Sequence, residues 1–140
     1  MLNAYYTPKM IVDAIYEALE HFGFNKDGNT KEIFEPSVGA GIFLSYAPAN
    51  AHYHFSATEI DSVGVRIAKT LHPNQNIQLK KFEEFTFTHD FDAFVGNPPY
   101  GKDVIYDGDK DLSGASVHNY FVGKALKHLK RRWHSSLCHH

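Results

Sequence analysis

A chain of 140 residues, 43% of them hydrophobic and 21% charged, has the size and composition of one soluble domain with a single core. No apolar run approaches the roughly 20 residues needed to span a bilayer, and Met1-Leu2-Asn3-Ala4-Tyr5 lacks the layout of a secretory signal, so no membrane partner and a cytoplasmic location are expected. The single cysteine, Cys138, excludes an internal disulfide and a cysteine-rich zinc site, and a net charge of −2 does not advertise the basic face with which proteins usually grip duplex DNA.

Thr7-Pro8 reads as a helix start, since threonine caps free N–H groups and proline fits the first turn, where its missing N–H costs nothing. Ile11, Ile15, Leu19 and Phe22 follow at helical spacing and predict one apolar face. Residues 25–30, containing Asp27-Gly28-Asn29, form a polar loop. Residues 32–35 read as a first strand running into Pro36-Ser37-Val38-Gly39-Ala40-Gly41, and Ile42-Phe43-Leu44 opens a helix. A second strand, 54–58, ends at Glu59-Ile60-Asp61. Val63, Ile67 and Leu71 predict the buried face of the next helix, which Pro73-Asn74 stops. Residues 76–79 and 91–95 read as the third and fourth strands. The stretch 101–116, rich in Asp, Gly and Lys, is expected to be a mobile loop, and 117–130 a helix with Phe121, Ala125, Leu126 and Leu129 on one side. Strands alternating with helices imply right-handed βαβ units and therefore a doubly wound α/β domain with a mostly parallel sheet.

Two constellations carry chemistry. Gly39 and Gly41 stand where a strand turns into a helix, and glycines there let a ligand approach the backbone. Glu59 follows at the end of the second strand, near the spacing of about 20 residues at which a carboxylate can accept bonds from ribose hydroxyls. The plainer alternative for Glu59 and Asp61 is helix capping. Asn97-Pro98-Pro99-Tyr100 follows the fourth strand after Gly96. Its prolines stiffen the loop and leave carbonyl acceptors without competing donors, which suits a planar amine. Asn97 Oδ1 and the Pro98 carbonyl are candidate acceptors for both N–H groups of such an amine, and Tyr100 can stack on its ring. The alternative is a proline-stiffened turn with an aromatic plug. Ten histidines are scattered through the chain without a ligand pattern.

Phe34-Glu35-Pro36-Ser37-Val38-Gly39-Ala40-Gly41-Ile42-Phe43-Leu44 resembles the S-adenosylmethionine motif of adenine-N6 DNA methyltransferases, and Asn97-Pro98-Pro99-Tyr100 matches their catalytic motif. Tyr6-Thr7-Pro8 is similar to the segment that closes over the methionine end of the cofactor in the subgroup carrying it first. The resemblance runs from about Ala4 to Lys130 and has the flavour of methylase domains in mobile-element proteins that also carry helicase segments. It implies a Rossmann-like methyltransferase fold over 1–130, S-adenosylmethionine as cofactor, DNA as partner and no metal. It also implies site roles: Tyr6, Thr7 and Glu35 near the methionine part, Glu59 on the ribose, Phe82 on the adenine, Phe121 lining the pocket, and Pro36, Gly39, Gly41 and Ile60 completing it. Asn97, Pro98, Pro99 and Tyr100 would be catalytic.

The sequence departs from the family in two places. The usual Asp before the aromatic is Lys81 here, which cannot accept a bond from the adenine amino group; Glu83 is the nearby substitute. After Lys130 the family continues with Gly-Gly and another strand, whereas this chain reads Arg131-Arg132-Trp133-His134-Ser135-Ser136-Leu137-Cys138-His139-His140. That tail is expected to be disordered, the product of a truncation or an altered frame, with a zinc reading of His134, Cys138 and His139 as the lesser alternative. The expectations that follow are a C-terminally incomplete sheet, an unpaired edge on the fourth strand that invites self-association, and no DNA methylation by the isolated chain. Competing readings are methylation of a glutamine side-chain amide and a non-catalytic cofactor- or partner-binding fragment. Tyr6-Thr7-Pro8 preceding the cofactor motif favours DNA.

Overall fold

The computed structural model describes residues 7–96, 104–105, 107, 109, 111–112 and 114–131. Four parallel strands form the sheet: β1 (Lys31–Glu35), β2 (Tyr53–Glu59), β3 (Asn76–Leu79) and β4 (Ala93–Phe94), in the order β3-β2-β1-β4. Their register pairs Glu35 with Ala57, Glu59 with Leu79 and Ile33 with Ala93. The neighbours Ile33 and Phe34 on β1 are both fully buried but belong to different cores, because successive strand residues point to opposite faces. The Ile33 face packs against α1 (Lys9–His21), α2 (Ile42–Ser45) and α3 (Ser62–Leu71). The Phe34 face carries an aromatic cluster from a 3-10 turn (Phe82–Glu84), the run into β4, and α4 (Val117–His128). Phe34 alone has the rings of Phe82, Phe85, Phe87, Phe91 and Phe94 with centroids within 4.7–5.5 Å. A parallel sheet covered on both faces follows from crossovers that alternate sides, so the doubly wound expectation holds.

Several local expectations are corrected. Pro8, not Thr7, stands at the N-cap of α1, and no side chain caps it. The buried face of α1 is Val12 and Tyr16 with Ile15 and Leu19 beside them, while Ile11 and Phe22 point outward. Tyr16 sets this rotation: its ring stacks on Tyr53, and its hydroxyl donates to the Phe43 carbonyl. On α3 the expected core residues Val63, Ile67 and Leu71 are 58%, 43% and 59% exposed, and Gly64, Val65 and Ala68 are buried instead. Small residues win that face because the helix lies close to the first turn; a Cβ at Gly64 would stand 3.2 Å from the Gly39 carbonyl oxygen.

The other corrections lie past β4. Helix α4 stops at His128, and Leu129 forms a parallel bridge with Phe91. Phe91 N–H donates to the His128 carbonyl at 2.8 Å and Lys130 N–H to the Phe91 carbonyl at 2.9 Å. The expected bare edge beside the fourth strand is therefore partly covered at its start. Leu126, expected on the packed side of α4, is 54% exposed; Val117, Tyr120, Phe121 and Lys124 take the inside. The stretch expected to be a mobile loop contains β5 (Val104–Ile105) paired antiparallel with β6 (Ala115–Ser116).

Candidate active site

The C-terminal ends of β1 and β2 meet at the turn after Glu35. Gly39 and Gly41 have φ of 56° and 92°, left-handed values that favour glycine. Two bonds sew this turn to β2: Val38 N–H donates to the Thr58 carbonyl at 3.1 Å, and Thr58 Oγ1 donates to the Pro36 carbonyl at 2.8 Å. Glu59 then accepts from Gly39 N–H through Oε1 at 2.9 Å and from Asp61 N–H through Oε2 at 2.8 Å. Capping of α3 falls to Asp61, whose side chain accepts from Val63 N–H. Glu59 is thus oriented by the backbone on both sides, and a carboxylate accepting one bond per oxygen keeps lone pairs for a ligand.

Glu35 lies beside it and is 2% exposed. Its Oε2 has no hydrogen-bond partner among the described residues. Burial, with the neighbouring Glu59 charge adding to it, pushes the Glu35 carboxyl well above its usual range. Burial followed by the Glu35 charge likewise raises the Tyr16 phenol. Gly96, the residue before Asn97, has φ of 131°, and a Cβ there would stand 2.8 Å from Glu35 Oε1. Only glycine fits both constraints, a requirement the sequence hints at solely by placing a glycine ahead of Asn97. Ile60 is 71% exposed immediately after Glu59.

Pro36, Gly39, Gly41, Glu35, Glu59 and Ile60 therefore share one end of the sheet. Phe82 and Phe121 do not join them as open ring faces: they are 4% and 9% exposed, 5.0 Å apart between centroids, and packed into the aromatic core. Lys81 points to solvent, whereas Glu83 Oε2 is buried without a partner among the described residues. Thr7 is half-buried just ahead of α1. Tyr6, Asn97, Pro98, Pro99 and Tyr100 lie outside the described residues, as do His134, Cys138 and His139. Among the described residues no group of three or more His, Cys, Asp or Glu is placed to hold a metal, and no helix is long and apolar enough to cross a membrane.

A putative class I S-adenosylmethionine-dependent methyltransferase from Listeria monocytogenes superposes with a TM-score of 0.71 at 17% identity, over 93% of this chain and 45% of that one. The fold is that of the class I methyltransferases. Among curated proteins, the chain is 35% identical over 134 residues to Defense against restriction protein B of Escherichia phage P1, covering 92% of this chain and 6% of that protein. It is 29% identical over 99 residues to Type II methyltransferase M.CvrRI of Paramecium bursaria Chlorella virus XZ-6E, covering 70% of this chain and 24% of that one. The chain thus spans a small part of both curated relatives. No model of a known protein family matches it.

Proposed function

We propose that this chain is the cofactor-binding and catalytic part of an S-adenosylmethionine-dependent methyltransferase acting on the N6 amino group of adenine in DNA. The observation that carries the reading is the pair of carboxylates at the ends of β1 and β2: a buried Glu35 with one oxygen unpartnered among the described residues and a backbone-oriented Glu59, flanking a left-handed glycine turn. A ligand with a cationic end and a vicinal diol answers both groups, and S-adenosylmethionine has both. The names of the two curated relatives, one a defense against restriction protein and the other a type II methyltransferase, support DNA as the substrate.

When bound, the cofactor supplies an electrophilic methyl on a sulfonium. Glu59 would hold the ribose hydroxyls, and Glu35 would meet the methionine ammonium. The exposed Ile60 side chain, next to Glu59, would cover one side of the adenine. Asn97 Oδ1 and the Pro98 carbonyl accept the two N–H bonds of the target amine, drawing its nitrogen toward tetrahedral geometry and freeing its lone pair. Tyr100 stacks on a base rotated out of the duplex, since the amine is out of reach inside the stack.

The test is calorimetric titration with S-adenosylhomocysteine alongside radiolabelled methyl transfer to adenine-containing DNA by the full-length protein. Asn97→Ala should leave cofactor affinity nearly unchanged and lower turnover by a factor of about 10²–10³, the usual loss for one oriented polar group at a reacting centre. Tyr100→Ala should weaken base capture by about 1–3 kcal/mol, with Tyr100→Phe close to wild type. Retained turnover in Asn97→Ala would remove the proposed amine activation.

A further inference from the structure

Glu35 ends β1, the strand that pairs with β2 on one side and β4 on the other, and its register partner on β2 is Ala57. The carboxyl is closed in. A Cβ at Gly96 would stand 2.8 Å from Oε1 and 2.9 Å from Cγ, so the chain leaving β4 lies directly against the side chain, and only 2% of the residue reaches solvent. Among the described residues Oε2 has no hydrogen-bond partner. The titratable groups that bear on this carboxyl are Glu59 from β2 and the Tyr16 phenol from α1, whose hydroxyl is committed to the Phe43 carbonyl. β4 offers only Ala93 and Phe94. None of these groups brings a positive charge.

A carboxylate taken from water into such a place, without a cation and beside a second acid, costs far more than a carboxyl that keeps its proton. Burial first, and Glu59 after it, accordingly push the Glu35 carboxyl well above its ordinary value of 4.5. The neutral form avoids the charge but leaves Oε2 without a donor. A buried oxygen without a partner is rare in folded proteins and marks a place for a bound group.

We infer that Glu35 couples cofactor binding to proton release: it is neutral in the free fold and gives up its proton when the methionine ammonium is seated beside it. The inference rests on the methyltransferase reading for what supplies the ammonium. The Glu35 O–H bond breaks, the proton goes to solvent, and the ligand keeps all its own protons. The site is therefore without net charge both as an empty carboxyl and as a filled carboxylate–ammonium pair, which is the arrangement a buried place tolerates. An acid already paired with a lysine or arginine in the free fold would exchange no proton. By linkage, affinity must rise with pH while free Glu35 holds its proton and level off once the pH passes the folded pKa.

The experiment is calorimetric titration of the full-length protein with S-adenosylhomocysteine in buffers of different ionisation enthalpy, which counts the protons exchanged. At about pH 6, between roughly a half and one proton should be released, and affinity should climb roughly three- to tenfold per pH unit on the acid side. Methylthioadenosine, which has the same base, ribose and thioether without the amino-acid part, should bind with no release. Glu35→Gln should bind S-adenosylhomocysteine more weakly, with no release and a flat pH profile; where that affinity is too low to titrate, the methylthioadenosine comparison decides. Binding of S-adenosylhomocysteine to the wild type with no proton exchanged, or with uptake, overturns the inference and leaves the cofactor reading standing. Equal release with methylthioadenosine or from Glu35→Gln does the same, since the proton then comes from elsewhere. No binding of S-adenosylhomocysteine by the wild type overturns the cofactor reading itself, and the inference with it.

Discussion

At the scale of single residues, the buried Glu35 carboxyl lowers the stability of the fold at neutral pH, a cost that the proposed cofactor contact would offset. In the unfolded chain it titrates near its ordinary value of 4.5, whereas burial and Glu59 hold the folded carboxyl protonated well above that. Once the pH exceeds 4.5, the unfolded state releases a proton that the folded state retains, so the cofactor-free protein loses stability as pH rises toward the folded pKa. Glu35→Gln abolishes this dependence. Thermal melts should show equal midpoints for variant and wild type below about pH 4 and a higher midpoint for the variant at about pH 7–8. Cofactor affinity should move the other way, by about tenfold or more, because a charge-assisted bond is lost. A variant less stable than wild type at neutral pH would show that Glu35 is already satisfied without ligand.

At the scale of elements, the loop from β2 into α3 divides its work between two acids. Asp61 caps the helix and Glu59 braces the glycine turn. Asp61→Ala should cost about 1 kcal/mol in chemical denaturation and leave cofactor affinity within about twofold. Glu59→Ala should weaken the cofactor by about 1.5–3 kcal/mol. Equal effects of the two on binding would mean that the loop acts as one unit and that Glu59 has no contact of its own. The sequence separates these roles only through strand-end spacing, and the hydrogen bonds assign them. The same element also misleads a reader of periodicity. The apolar stripe Val63, Ile67 and Leu71 is the more hydrophobic face, but α3 lies against the glycine turn through Gly64 and Ala68, where closeness to that turn admits only small side chains.

At the scale of the molecule, a net charge of −2 bears on the proposed DNA substrate. Phosphate neutralisation supplies most non-specific affinity, and this chain has no excess of cations to offer. Fluorescence anisotropy with an adenine-containing duplex at physiological salt should give a dissociation constant weaker than about 10⁻⁴ M. Micromolar binding would point to a local basic surface that the overall charge conceals.

The alternating strand and helix pattern, the glycine turn and the acid at the second strand end determined the fold class from sequence alone, because each follows from local periodicity or backbone freedom. The four parallel strands stand where the apolar runs place them, although β4 shortens to Ala93–Phe94 and Phe91 pairs with Leu129 instead. Helix faces were legible only in part: Ile15, Leu19 and Phe121 pack inward as expected, but α1 turns to bury Tyr16 and α3 turns to bury glycine and alanine, since the choice depends on what lies across the interface. The bonds of Lys124 to Asp107 and Tyr120 were hidden. An Asp, Gly and Lys-rich stretch reads as solvated loop until the fold brings α4 beneath it, and the oxygens of Glu35 and Glu83 that lack a partner among the described residues exist only once burial has removed their water. Local chemistry thus decides which elements form and where ligand-ready turns stand. Only the packed structure decides which polar groups lose solvent, and with it which are left to act.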